Sequence, residues 1–195
     1  SPYTAPFPPM PPSEFVVIDV ETTNGDPLHA GIIEVAVIVH DDLQEVERWN
    51  TLVRSTRTIS PFVERLTGIR SGMLVTAPTF ADVAPRLGAS VKDRIMVAHN
   101  VRYDMTALQQ EFARTGTHFG PDTLCTERLA RRLIPGLTHY NLGNLCRHLG
   151  ISRGHEHRAA HDAQATLNLL LRLIQDHGSA RILEAVVPGQ AMMRA

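Results

Sequence analysis

An acid interrupts the apolar run Phe15-Val16-Val17-Ile18-Asp19-Val20, and Glu21 closes it. The β-branched density reads as a buried strand at the centre of a sheet. Strand side chains alternate between faces, so Asp19 and Glu21 emerge on the same side. Two acids in apolar surroundings repel each other and are costly to bury without a counter-charge, which a divalent cation can supply. The plainer reading ends the strand at Asp19 and leaves both acids to water.

Two further segments carry chemistry. Ile95-Met96-Val97-Ala98 reads as a second apolar strand, leading into a helix from near Val101 to Thr115 with Ala107, Leu108 and Phe112 on one side and Gly116 as its stop. Asp104 falls in the first turn, where the helix dipole already favours a negative charge. Asn100, just before it, is open to a reading as an N-cap alone. The third segment, His155 to Ala163, opens a long helix through Leu167, Leu169, Leu170, Leu171, Leu173 and Ile174. His157 precedes Asp162 by 162 − 157 = 5 residues, more than one turn, which places it on the loop before the helix. A loop histidine suits proton transfer near neutral pH, although a surface histidine in a His-rich loop is the bland alternative. A zinc site of His155, His157, His161 and Asp162 is the other alternative, but no cysteine joins them and the spacing matches no common structural zinc pattern.

Together these segments resemble a known family. Asp19-Val20-Glu21-Thr22-Thr23, His99-Asn100-Val101-Arg102-Tyr103-Asp104 and His157-Arg158-Ala159-Ala160-His161-Asp162-Ala163 look like the three motifs of the DEDDh exonucleases, in the family's order. The pattern is most similar to the proofreading epsilon subunits of bacterial DNA polymerase III and other DnaQ-like 3′-5′ exonucleases. Leu66-Thr67-Gly68-Ile69 followed by Ala77-Pro78-Thr79-Phe80 resembles the epsilon-type stretch between the first two motifs, so the similarity spans about residues 14 to 175. Three ordered parts are specific where a single one is weak. Two positions depart from the pattern. Asn24-Gly25 stands where glycine usually follows Glu-Thr-Thr directly, and asparagine's tolerance of a left-handed backbone is expected to preserve the turn. Thr67 stands where epsilon subunits often carry histidine.

The resemblance implies an α/β fold of the ribonuclease H-like type, a mixed five-stranded sheet flanked by helices. It implies metal-dependent removal of nucleoside 5′-monophosphates from the 3′ end of DNA, in proofreading or repair, with RNA trimming as the alternative and a non-catalytic binding module as a third reading. Two divalent cations, Mg²⁺ or Mn²⁺, are the implied cofactors, since an oxygen-only acidic set suits hard ions. By the same resemblance Asp19, Glu21 and Asp162 hold the ion that activates water, and Asp19 and Asp104 serve the second, Asp104 through a water molecule. His157 is the general base. Thr22, Thr67 and Asn100 are the expected substrate contacts, and a replicative polymerase is a possible partner.

Composition sets the scale. At 195 residues with 43% hydrophobic content the chain can bury a sizeable core as one domain. Its formal charge of −1 provides no global attraction to nucleic acid, so any grip must be local. Arg128, Arg131, Arg132, Arg147, Arg153 and Arg158 concentrate in the later half as a candidate phosphate path, with solvated helix faces as the alternative. Aromatic content of 5% argues against a base-stacking platform. Two unpaired cysteines, Cys125 and Cys146, fit reduced thiols and a cytoplasmic location, and no apolar run reaches a membrane span.

Residues 1–13 read as a Pro-rich extended leader, 14–178 as the exonuclease domain and 179–195 as a C-terminal helix and tail. Ser1 in place of a methionine suggests a trimmed chain. Gln190-Ala191-Met192-Met193 resembles a sliding-clamp peptide without its aromatic anchor, and a frayed tail is the simpler reading. Strands are expected near 15–20, 32–40, 47–54, 95–99 and 122–125, the first three as an antiparallel meander. Helices are expected near 61–67, 79–87, 101–115, 126–133, 141–149 and 160–177.

Overall fold

A computed structural model describes residues 14–189; the Pro-rich leader and the Gln190–Met193 peptide lie outside the described residues. Five strands form one sheet in the order β3-β2-β1-β4-β5. They are β1 (Glu14–Thr22), β2 (Ile32–Asp41), β3 (Gln44–Leu52), β4 (Ile95–Ala98) and β5 (Thr123–Cys125). The first three form the expected antiparallel meander, while β4 and β5 run parallel to β1. Asp42 and Leu43 turn the β2–β3 hairpin with φ of 52° and 61°, the left-handed pair that tight hairpins require.

Among the described residues, eight helices surround the sheet: α1 (Pro61–Thr67), α2 (Ser71–Leu74), α3 (Phe80–Val91), α4 (Val101–Arg114), α5 (Thr126–Leu133), α6 (Leu142–Leu149), α7 (Ala159–His177) and α8 (Ser179–Leu183). The alternation along β1 sorts them. Val16, Ile18 and Val20 pack with α3 and α4, whereas Phe15 and Val17 pack with α5, α6 and α7. Asp19 and Glu21 therefore point toward the α7 side. The first turns of α7 present Ala159 and Ala163, both fully buried, and these small side chains let the helix close on the sheet. Larger residues, Leu167, Leu170 and Leu173, bury along the rest of it.

Several boundaries differ from the sequence expectation. α3 continues four residues past 87, through Gly88 to Val91, since one glycine lowers helix propensity without breaking the helix. α2 is a single short turn with too little periodicity to be read. After residue 178, Ile182 of α8 is fully buried in the core shared with α7, and Val187 pairs with Thr123 through two backbone hydrogen bonds of 2.9 and 2.8 Å. Cys125 and Cys146 are both free and buried.

Candidate metal centre

β1 does not end at Asp19, as the plainer reading had it; it runs on to Thr22 and keeps its partner β2. Its pairing with β4 stops earlier, at Val17–Val97. Val20 therefore emerges beyond β4, and its N–H donates to Asp104 Oδ1 at 3.2 Å from the first turn of α4. This bond brings a buried carboxylate from the α4 side to the strand that carries Asp19 and Glu21.

From the other face α7 delivers Asp162. One carboxylate oxygen each of Asp19, Glu21 and Asp162 lies within 4.8 Å of the others. Asp19 lines a cavity and is partly exposed as a residue, yet its Oδ2 is sealed without a hydrogen-bond partner. Burial and then the neighbouring Asp104, Glu21 and Asp162 push its pKa well above the carboxylate range. Glu21 is raised to about 8 by burial and by Asp162, Glu34 and Asp104, with Arg158 opposing. Asp104 also reaches about 8, chiefly through burial, against the lowering effect of the Val20 N–H. An orphaned buried oxygen among three converging acids is a site that lacks positive charge, and an oxygen-only donor set fits a hard divalent cation.

His157 stands on the loop between α6 and α7 with φ of 59°. It shares a cavity of about 420 Å³ with Asp19, His99, Asn141, Arg147, Arg153, Glu156 and Asp162. Its side chain is 43% exposed, and Nε2 lies 4.0 Å from Glu156 Oε2. The zinc alternative fails on geometry: His161 Nδ1 accepts the His155 N–H at 2.8 Å, and the acids are the metal-competent group among the described residues.

The expected substrate contacts divide. Thr22 is buried at the end of β1, where its hydroxyl meets that of Tyr103 and donates to the Asn24 carbonyl at 2.7 Å. Asn100 has φ of 64° and makes no side-chain cap, which removes the N-cap reading; it is exposed beside Leu28, Arg102 and Tyr103. Thr67 is withdrawn from the set, because it is 2% exposed and its hydroxyl donates to Val63 and accepts from Ile69. The turn after Thr23 also forms differently than expected. Asn24 is not left-handed; its Oδ1 accepts the Asp26 N–H at 2.8 Å, an Asx turn that replaces the glycine.

The arginine path shortens for the same reason. Arg158 pairs with Glu34, Arg131 with Glu127 over the Tyr140 ring, and Arg147 with Asn144. Only Arg147 and Arg153 border the cavity of the acids, while Arg128 and Arg132 line a separate groove with Arg102.

Glu34 went unnoticed in the sequence. It lies opposite Glu21 in the β1–β2 register, is 2% exposed, and accepts from Arg158 Nη2 at 2.8 Å and from the Ala159 N–H at 2.7 Å. Its signal was present: one acid inside Ile32-Ile33-Glu34-Val35-Ala36-Val37 must have a partner. His99 is a second support, held between the Thr126 hydroxyl and the Tyr140 carbonyl, both at 2.8 Å.

The mixed sheet, its flanking helices and this cluster of acids define a ribonuclease H-like exonuclease of the DEDD type, a phosphodiester hydrolase. The chain belongs to the exonuclease family, whose RNase_T model matches residues 16–170. It is 32% identical over 163 residues to the DNA polymerase III subunit epsilon of Aquifex aeolicus (strain VF5), covering 83% of this chain and 81% of that protein. It is also 37% identical over 162 residues to the PolC-type DNA polymerase III of Oceanobacillus iheyensis, and 33% identical over 164 to the 3′-5′ exonuclease DinG of Bacillus subtilis (strain 168). The match spans 83% of this chain in both cases, but only 11% and 18% of those longer proteins. Among solved structures, exonuclease X in complex with 5′ overhanging duplex DNA superimposes with a TM-score of 0.73 at 28% identity, covering 88% of this chain and 98% of that one. A 3′-exonuclease bound to a histone mRNA stem-loop shares the fold, with a TM-score of 0.75 at 18% identity over 86% of this chain and 84% of that one. No helix among the described residues is long and apolar enough to cross a membrane.

Proposed function

We propose that the chain removes nucleoside 5′-monophosphates from the 3′ end of DNA, in proofreading or repair. The observation that carries this reading is the convergence of Asp19, Glu21 and Asp162 around a sealed, unpartnered Asp19 oxygen, with Asp104 tied beside them. DNA is favoured over RNA because the three relatives above, each over 30% identical, are named for DNA polymerases or DinG, and the 28% identical structure holds duplex DNA. A replicative polymerase as partner rests on the epsilon name alone, and a cytoplasmic location on the two free thiols.

Asp19, Glu21 and Asp162 would hold one divalent cation, and Asp19 with Asp104 a second. Bound there, the pair would neutralise the scissile phosphate, acidify the attacking water and stabilise the departing 3′ oxygen. His157 takes the proton of that water as its oxygen bonds to phosphorus and the bond to the 3′ oxygen breaks. Its place on a loop, bordering the same cavity as Asp19 and Asp162, suits a base that must meet the water from the open side. Asp104 accepts the Val20 N–H, which ties this carboxylate to the strand end that carries Asp19 and Glu21. Tyr103, bonded to Thr22 at the end of β1, and Asn100 line one surface pocket, which supports them as contacts for a terminal nucleotide.

A timed digestion of 3′- and 5′-labelled DNA and RNA, single-stranded, paired and mismatched, tests this reading with Mg²⁺, Mn²⁺ and chelator. Stepwise loss of the 3′ label from DNA, abolished by chelator, is expected. Equal or faster loss from RNA would move the assignment to RNA trimming, and no cleavage of any strand would leave a binding module.

A further inference from the structure

Arg153 touches both the acidic cluster and the loop of His157. Its Nη2 donates to Asp162 Oδ1 at 2.7 Å, and its Nη1 lies 3.1 Å from Glu156 Oε1. The arginine side chain is 13% exposed and its Nε is buried with no partner. Room for it is made by α6: a Cβ on Gly143 would stand 2.9 Å from Arg153 Nη1. The guanidinium is thus seated in a fitted slot, against a carboxylate that the metal reading needs for itself.

The charges around it leave it one task. Two other arginines lie beside these acids: Arg158 is committed to Glu34 by hydrogen bonds from both Nε and Nη2, and Arg147 donates to Asn144. Among the described residues Arg153 is the arginine paired with Asp162, and Glu156, the immediate neighbour of His157, gives it a second and more exposed anchor. A divalent cation drawn to Asp162 repels a guanidinium a few ångströms away and competes for the same oxygen.

We propose that Arg153 is a resident counter-cation of the acidic cluster, holding Asp162 in place before a divalent ion binds and yielding that carboxylate to the ion by shifting onto Glu156. This rests on the reading of Asp19, Glu21 and Asp162 as metal ligands. The shift draws the Glu156 carboxylate away from His157 Nε2, now 4.0 Å from it, so ion loading and release of the imidazole are coupled. Arg153 acts through Asp162 and His157 and is a positioning residue.

The test is Mn²⁺ titration and thermal melting of the full chain as wild type, Arg153→Gln, Glu156→Gln and the double variant. In chelator Arg153→Gln is expected to melt below wild type, and saturating Mn²⁺ should close that gap, because the ion replaces the lost charge. Its Mn²⁺ dissociation constant should be about fivefold tighter than wild type. Glu156→Gln changes an exposed residue and keeps the fold; it should weaken Mn²⁺ binding about threefold when Arg153 is present and not in the double variant. A melting gap that persists at saturating Mn²⁺, an unchanged or weaker constant for Arg153→Gln, or an effect of Glu156→Gln that ignores Arg153 would each overturn the proposal. If Arg153→Gln does not fold, an Mn²⁺ constant for Glu156→Gln equal to wild type overturns it alone. Absence of Mn²⁺ binding to the wild type, by contrast, removes the metal reading itself.

Discussion

Glu34 accepts hydrogen bonds from both the Arg158 guanidinium and the Ala159 N–H, so one buried carboxylate of β2 fixes the start of α7 against the sheet. The two donors directly follow His157 in the chain. Glu34→Ala strands both, and with Arg158 a third exposed the expected loss is about 2–3 kcal/mol of stability, below the range for a fully buried pair. Glu34→Gln keeps an oxygen for Ala159 and should lose roughly half as much. Chemical denaturation of the two variants checks the order.

Asp19→Asn removes a charge that its neighbours and burial disfavour. In chelator the variant is expected to be more stable than wild type by roughly 1–2 kcal/mol while hydrolysis is lost. Melting curves beside a digestion assay read both; a less stable and fully active variant would contradict the assignment.

The pH dependence of the metal-free protein has a definite sign. Glu21 and Asp104 titrate near 8 when folded, against ordinary values of 4.5 and 3.8 when unfolded. Both groups bind more protons folded than unfolded between those limits, so the stability they contribute is complete below the ordinary values and is lost as pH rises through about 8. Melting temperature in chelator should therefore fall steadily from pH 5 to pH 9, other groups being equal. Saturating Mn²⁺ should flatten or reverse that slope, because the ion favours the ionised carboxylates.

His157→Ala removes the proposed base and leaves the acids in place. The rate should fall about 10²–10⁴-fold, with Mn²⁺ affinity changed less than about threefold. Single-turnover kinetics and Mn²⁺ titration on the same preparation separate the two effects.

Most of the architecture was legible because its periodicities are strong: β1 and β2 are nearly continuous apolar runs, and α6 was bracketed by Asn141 and Gly150, which cap it in the structure. The acids were legible because charge inside apolar strands needs an explanation. What stayed hidden depends on distance in space. Nothing near Arg153 in sequence announces that it meets Asp162, and Thr67 looked available until its hydroxyl was found bonded within its own helix turn. The turn at Asn24 misled for a local reason: asparagine has more than one turn role, and here its side chain accepts the Asp26 N–H in place of a left-handed backbone.

The decisive measurement is anomalous diffraction from crystals soaked in Mn²⁺. A peak is expected within about 2.2 Å of carboxylate oxygens from Asp19, Glu21 and Asp162 together. Well-ordered side chains with no peak between them, at Mn²⁺ concentrations that support cleavage, would contradict it.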